Sequence, residues 1–206
     1  MADYKKPDYW QQKARREGYP ARSVYKLKEI DEKFGLLKPE RAIFRVLDLG
    51  AAPGSWSLYV LRKFGAKGFL AAADLSPLSR EYDKGLFDGG NFFFVQGDIT
   101  AAETRETILS KGPYSAIISD AAPNTTGSHT VDSSRSLELA ETVIAYAESA
   151  LSTGGNLALK VFQGGGSDLL LKRMKALFGT AKSFKPQACR GESVETYFIG
   201  LGKKSG

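Results

Sequence analysis

The stretch VLDLGAAPGSW, residues 46–56, decides how this chain is read. An apolar strand runs into a turn with two glycines, Gly50 and Gly54, and a new element starts at Ser55 and Trp56. In a parallel sheet, a strand-to-helix turn of this kind is the usual cradle for a ligand. The spacing fits neither of the two best-known phosphate loops. The dinucleotide fingerprint needs G-x-G-x-x-G, and the triphosphate loop closes on Gly-Lys-Ser or Gly-Lys-Thr. Here a proline stands between the glycines and no lysine follows them, so nothing in the turn is tuned to a pyrophosphate.

Outward from this turn, short apolar runs of strand length recur at 46–49, 68–74, 91–96, 114–119 and 156–162. Longer segments with helical spacing separate them, at 57–64, 77–86, 101–109 and 133–151. Runs that are apolar throughout predict strands buried on both faces, hence a parallel sheet covered by helices. A glycine run, QGGG at 163–166, precedes a basic amphipathic helix at 168–178, and two more strands are expected at 181–185 and 195–201. The whole reads as a doubly wound α/β domain, residues 43–206, with a basic helical N-terminal extension, residues 1–42.

Two later residues narrow the ligand. Asp74 ends the second strand, where a carboxylate accepts hydrogen bonds from ribose hydroxyls. Asp98 follows the third strand, where a carboxylate can accept from an exocyclic amine such as that of adenine. An adenosyl group without phosphates fits this pattern.

With 206 residues, the chain is long enough for one substantial core. Its 42% hydrophobic and 25% charged residues are ordinary for a soluble protein. No apolar run approaches the roughly 20 residues of a membrane span. The polar N-terminus does not read as a secretory signal, and the single cysteine, Cys189, excludes an internal disulfide, so a cytoplasmic protein is expected. With one histidine, His129, and one cysteine, no metal site is expected, and a monomer is the simplest assembly.

The net charge is +6. Between Lys5 and Lys28 eight basic residues face two acidic ones, a surplus equal to that of the whole chain. Tyr4, Tyr9, Trp10, Tyr19 and Tyr25 are interleaved with them. A second block, residues 169–191, holds Lys172, Arg173, Lys175, Lys182, Lys185 and Arg190 and no acid. Cations hold phosphates while aromatic faces receive unstacked bases, so the pair of blocks points to a nucleic acid.

The segments LDLGAAPGSW, SDAAPN, LALKVFQG and SVETYF stand in this order, and through them the chain resembles the FtsJ-like family of RNA ribose 2′-O-methyltransferases from about residue 22 to residue 201. The resemblance implies a Rossmann-like S-adenosylmethionine-dependent methyltransferase fold, with a mostly parallel seven-stranded sheet, an antiparallel last strand and helices on both faces. It implies cofactor contacts at Gly54, Trp56, Asp74, Asp98 and Asp120, and a catalytic tetrad of Lys26, Asp120, Lys160 and Glu195. Among family members the likeness is greatest to those that methylate a uridine ribose of 23S ribosomal RNA in the large subunit. The placement also makes sense geometrically. Asp120 ends the fourth strand and Lys160 lies near the end of the fifth; an antiparallel last strand would start with Glu195 at that same edge. Lys26 can close the site from above, and the segment APNTTG, 122–127, reads as a mobile loop over the pocket.

Other functions fit less well. A nicotinamide-dependent dehydrogenase needs the missing glycine fingerprint, and a serine hydrolase needs G-x-S-x-G, which is absent. A noncatalytic RNA-binding assembly factor would not need the four tetrad residues. A tRNA-directed or mitochondrial-type ribose methyltransferase of the same family stays open.

Overall fold

The computed structural model describes residues 9–38, 44–190 and 193–205. Tyr4, Lys5 and Lys6 of the first basic block, and Gly191 of the second, lie outside them.

Seven strands form one sheet: β1 (Phe44–Leu49), β2 (Gly68–Asp74), β3 (Phe92–Gln96), β4 (Tyr114–Ser119), β5 (Leu151–Phe162), β6 (Phe178–Phe184) and β7 (Glu195–Lys203). Their order across the sheet is β3-β2-β1-β4-β5-β7-β6. The pairings from β3 through to β5 are parallel, whereas β7 runs antiparallel to both β5 and β6. The order reverses between β1 and β4, the place where a doubly wound sheet opens a crevice at its carboxyl edge.

Among the described residues six α-helices cover the sheet: α1 (Tyr9–Arg16), α2 (Val24–Phe34), α3 (Ser55–Phe64), α4 (Ala102–Leu109), α5 (His129–Ala150) and α6 (Ser167–Leu177). Successive side chains of a strand point to opposite faces, so each strand feeds two cores. Val46, Ala116 and Ile118 face α2 and α3, together with Leu27, Ile30 and Leu58. Leu47, Leu49, Ile117 and Leu157 face the other way, onto Val143, Ile144 and Met174 of α5 and α6. Both faces being dry, the strands need no polar alternation, which is why they read as continuous apolar runs.

The first two helices are part of the first core. Ala14, Tyr19, Tyr25, Leu36 and Leu37 are buried in it. Asp31 of α2 binds across to α3, accepting from the Tyr59 hydroxyl at 2.8 Å and pairing with Lys63, and it also accepts the Leu37 amide at 2.8 Å. The aromatics of the first basic block are correspondingly occupied. Lys13 Nζ stands 4.8 Å from the Tyr25 ring centroid and 5.4 Å from that of Trp10, and Lys28 Nζ lies 4.8 Å from Tyr19. Tyr19 and Tyr25 are buried, so of the five interleaved rings only Tyr9, 62% exposed, offers a largely open face among the described residues.

One expected helix is absent. Residues 77–86 form an irregular segment that ends in a short 3-10 turn, Leu86–Asp88. Leu78, Tyr82 and Leu86 are spaced like a helical stripe and do pack on the first core, but along a non-helical backbone. The Ser79 amide binds the Pro53 carbonyl of the glycine turn, and Lys84 and Gly85 sit at φ of 50° and 79°, which interrupts any helix before Leu86.

Candidate active site

The glycine turn owes its shape to two positive φ angles, 76° at Gly50 and 105° at Gly54, a region that side chains disfavour. A Cβ on Gly50 would stand 2.5 Å from the Cα of Ala121, so only glycine lets the end of β1 lie against the chain leaving β4. Asp74 braces the turn from the next strand: its Oδ2 accepts the Ala52 amide at 2.9 Å and its Oδ1 the Ser76 amide at 2.8 Å. Beneath the turn, Asp48 is fully buried, with Oδ2 accepting the Ser57 hydroxyl at 2.7 Å and Oδ1 without a partner. Burial pushes its carboxyl up to about 7, against the hydrogen bond from Ser57 and helped by the nearby Asp120 and Asp74.

At the carboxyl edge lies a cavity of about 430 Å³. It is walled by the residues that end or follow β1 (Gly50, Ala52), β2 (Asp74, Leu75), β3 (Gly97–Thr100) and β4 (Asp120–Asn124), and by Arg135, Glu138, Leu139 and Thr142 of α5. That volume falls within the range of small-molecule sites, about 300–1,000 Å³. Asp74, Asp98, Asp120 and Glu138 outnumber the one lining cation, Arg135. Such a lining rejects a polyphosphate and suits a ligand with a cationic sulfur and an ammonium. Asp98 is pre-set as an acceptor. The Thr100 amide and hydroxyl both donate to its Oδ1 at 2.8 Å and hold its carboxyl below the ordinary range. By donor set and volume, the residues present fit S-adenosylmethionine.

Beside the cavity the four tetrad candidates form two ion pairs. Lys160 Nζ is 3.0 Å from Asp120 Oδ1 and donates to the Asp120 carbonyl at 2.5 Å. Lys26 Nζ lies 2.8 Å from Glu195 Oε1 and 2.9 Å from Oε2. Each backbone brings its residue there by a different route. Asp120 directly follows β4; Lys160 sits two residues before the end of β5; and Glu195, cross-strand partner of Phe162, starts the reversed strand. Burial alone would push the Asp120 carboxyl up, but the Lys160 and Lys26 ammoniums, with hydrogen bonds from Tyr197 and Lys160, hold it below its ordinary value. Burial likewise pulls on Lys26, and Asp120 and Glu195 outweigh it and raise the ammonium above its ordinary value. Lys26 is therefore a fixed cation near neutrality.

Of the expected cofactor contacts, Asp74, Asp98 and Asp120 line the cavity together, and Gly54 and Trp56 do not. Gly54 caps the start of α3, and a Cβ added to it would stand 2.9 Å from the Phe87 ring. The Trp56 indole turns away toward α2, donating to the Ser23 carbonyl at 2.8 Å, with its ring 5.9 Å from that of Tyr197. The loop expected over the pocket is tied at its far end. Asp132 of α5 accepts the Thr126 amide at 2.7 Å, the Thr126 hydroxyl at 2.8 Å and the Gly127 amide at 3.2 Å. His129 begins α5, exposed, and is not a cavity residue.

Sequence reasoning missed Tyr197, whose hydroxyl donates to Asp120 Oδ1 at 2.5 Å. The available signal was its position two residues after Glu195, on the same face of the strand. It also missed the α5 wall: Arg135, Glu138, Leu139 and Thr142 fall at i, i+3, i+4 and i+7 of one helix, a single stripe facing the cavity. Cys189, the single cysteine, also lies near the site. It is buried beside Glu195, and burial and that carboxylate push its thiol up to about 12.

A model of the FtsJ-like methyltransferases matches residues 19–203. The chain is 50% identical over 202 residues to ribosomal RNA large subunit methyltransferase E of Treponema denticola, covering 98% of this chain and 97% of that one. It is 45% identical to the protein of the same name from Oleidesulfovibrio alaskensis, covering 96% and 92%. A Plasmodium falciparum crystal structure described as a ribosomal RNA methyltransferase superposes with a TM-score of 0.74 at 25% identity, over 91% of this chain and all of that one. Sheet order, acid-lined cavity, paired lysines and this match along nearly the whole length agree: the chain belongs to the FtsJ-like methyltransferase family.

Proposed function

We propose that the chain methylates a ribose 2′-hydroxyl of RNA from S-adenosylmethionine, at a uridine of 23S ribosomal RNA in the large subunit. The observation that supports this best is the juxtaposition of a phosphate-averse cavity with a Lys-Asp-Lys-Glu group, two of its members buried and two half-buried, at one sheet edge. The relatives' names supply the RNA class.

The cofactor, when bound, supplies an electrophilic sulfonium methyl. What is left to the protein is alignment of the attacking oxygen and removal of its proton. Asp74 accepts from the ribose hydroxyls and Asp98 from the adenine amine. Gly54, whose amide donates to the Ala51 carbonyl, shapes the turn, and Trp56 contributes through its main-chain amide in the first turn of α3, where amides have no helical partner. Asp120 stands between the two halves, lining the cavity and holding Lys160. Lys160 faces the 2′-hydroxyl and handles its proton; Lys26 and Glu195 form the outer wall on the substrate side. Phosphates are met by the exposed side chains of Arg15 and Arg16 on α1 and of Arg190. Both segments therefore serve both roles: 1–42 supplies Arg15 and Arg16 to the RNA and Lys26 to the reactive group, and 43–206 supplies Arg190 to the RNA and the rest of the site.

The test offers methyl-labelled S-adenosylmethionine with 23S RNA, intact large subunits and tRNA, and maps the product by nuclease digestion. Label on a uridine 2′-oxygen of 23S RNA is expected. Label on tRNA alone would move the substrate to the other branch of the family, and label on a base would overturn the ribose reading.

A further inference from the structure

Three polar side chains at spacings of four and three residues project from α2 and the turn before it: Arg22, Lys26 and Glu29. Positions so spaced share one helix face. All three reach the connection between β6 and β7. Lys26 pairs with Glu195 at its far end. Arg22 Nη2 donates to the Ala188 carbonyl at 3.1 Å. Glu29 accepts two consecutive main-chain amides, that of Gln187 at 2.7 Å on Oε2 and that of Ala188 at 2.9 Å on Oε1.

The captured segment has two sides. Pro186, Ala188 and Cys189 are buried, and Cys189 lies against Glu195, inside the site. Lys185, Gln187 and Arg190 are exposed. The helix that presents Lys26 to the chemistry therefore also fixes the segment that presents Arg190 to solvent. Resting on the RNA-methylating reading above, we propose that Glu29 is a positioning residue: it holds the 186–190 segment in its RNA-binding form before RNA arrives. Ordering a segment in advance removes that cost from the binding step. Only a carboxylate serves both amides at once. A glutamine would accept one and turn its own N–H₂ toward the other.

The measurement is steady-state and single-turnover methylation by Glu29→Gln and Glu29→Ala, with cofactor affinity by calorimetry and RNA affinity by anisotropy. KM for RNA should rise about tenfold, the scale of ordering one residue. The single-turnover rate at saturating RNA should stay within about twofold, because bound RNA restores the segment. Cofactor affinity should not change. In an Arg190→Ala background the effect of Glu29→Gln should shrink, since both act through one segment. An unchanged RNA KM, a rate loss at saturating RNA with KM intact, or full additivity with Arg190→Ala would overturn the proposal. Anisotropy keeps the two readings separable: a wild-type chain that binds RNA without methylating it defeats the functional reading, and a Glu29→Gln chain that binds RNA as tightly as wild type defeats this one.

Discussion

Tyr197 and Lys160 converge on the same atom, Asp120 Oδ1, the phenol from 2.5 Å and the ammonium from 3.0 Å. They are cross-strand partners on β7 and β5, so the antiparallel register itself brings both side chains to the end of β4. Sharing one carboxylate oxygen fixes the direction of the Asp120 side chain and with it the Lys160 ammonium. Tyr197→Phe removes one of these anchors without changing the ring. A hydrogen bond to a charged group contributes about 1.5–3 kcal/mol, and the variant should lose stability on that scale. Methyl transfer at saturation should slow as well, with cofactor affinity little changed. Urea unfolding together with single-turnover kinetics reads both effects, and a variant equal to wild type in both would leave Tyr197 as ring packing alone.

Lys160 is tested by the arginine swap. Lys160→Ala should abolish transfer while cofactor and RNA still bind, because the loss belongs to the transition state. Lys160→Arg should fail almost as badly, since a guanidinium keeps the charge but cannot release a proton and spreads its donors in a fixed fork. Near-normal single-turnover rates in Lys160→Arg would make the residue a positive charge and not a base.

Asp48 links stability to pH. Its carboxyl stays protonated in the folded chain up to about 7, whereas an unfolded aspartate ionises near its ordinary 3.8. Between those values the folded state binds more protons than the unfolded one, so this group's contribution falls as pH rises through the window. Relative to Asp48→Asn, wild type should lose on the order of 2–3 kcal/mol between pH 5 and pH 8. Parallel denaturation curves for the two proteins at both pH values check this; identical pH slopes would mean that Asp48 is ionised in its pocket.

The two halves of the first basic block should behave differently. Lys13 lies over Trp10 and Tyr25 and 3.9 Å from Glu17, so Lys13→Ala should loosen α1 more than it weakens RNA binding. Arg15→Gln combined with Arg16→Gln should do the reverse. Each lost phosphate contact lowers the salt slope of binding by about 0.7 on single strands and about 0.9 on duplex. Filter binding across a salt series separates the two cases, and a slope unmoved by the arginine pair would leave α1 without an RNA role.

How legible each feature was depended on whether its cause was local. The strands could be read because both faces of the sheet are covered, which leaves uninterrupted apolar runs such as 46–49 and 114–119. The irregular 77–86 segment could not, because its apolar spacing is helical and its actual path depends on distant support: Pro53 for Ser79, and Arg62 for the Tyr82 carbonyl. The rings around Lys13 and Lys28 resembled stacking platforms because sequence cannot tell a ring that faces solvent from one already covered by a lysine of its own segment. The tetrad candidates were found by motif and placed by sheet topology. Tyr197 stood within a quoted motif, yet its bond spans 77 residues, and no local pattern announces that.

The reversal of β7 has a practical consequence. Glu195 opens the strand at the reactive edge, and eight residues later Lys203 donates to the carbonyls of Ala147, Glu148 and Leu151, where α5 ends and β5 begins. The chain therefore leaves the fold on the side of the sheet opposite the cavity. A fluorophore or surface linker joined beyond residue 205 would stand a full strand length from the edge that carries the cavity. For immobilised binding measurements, attachment at the C-terminal side keeps the instrument away from the surface it is meant to observe.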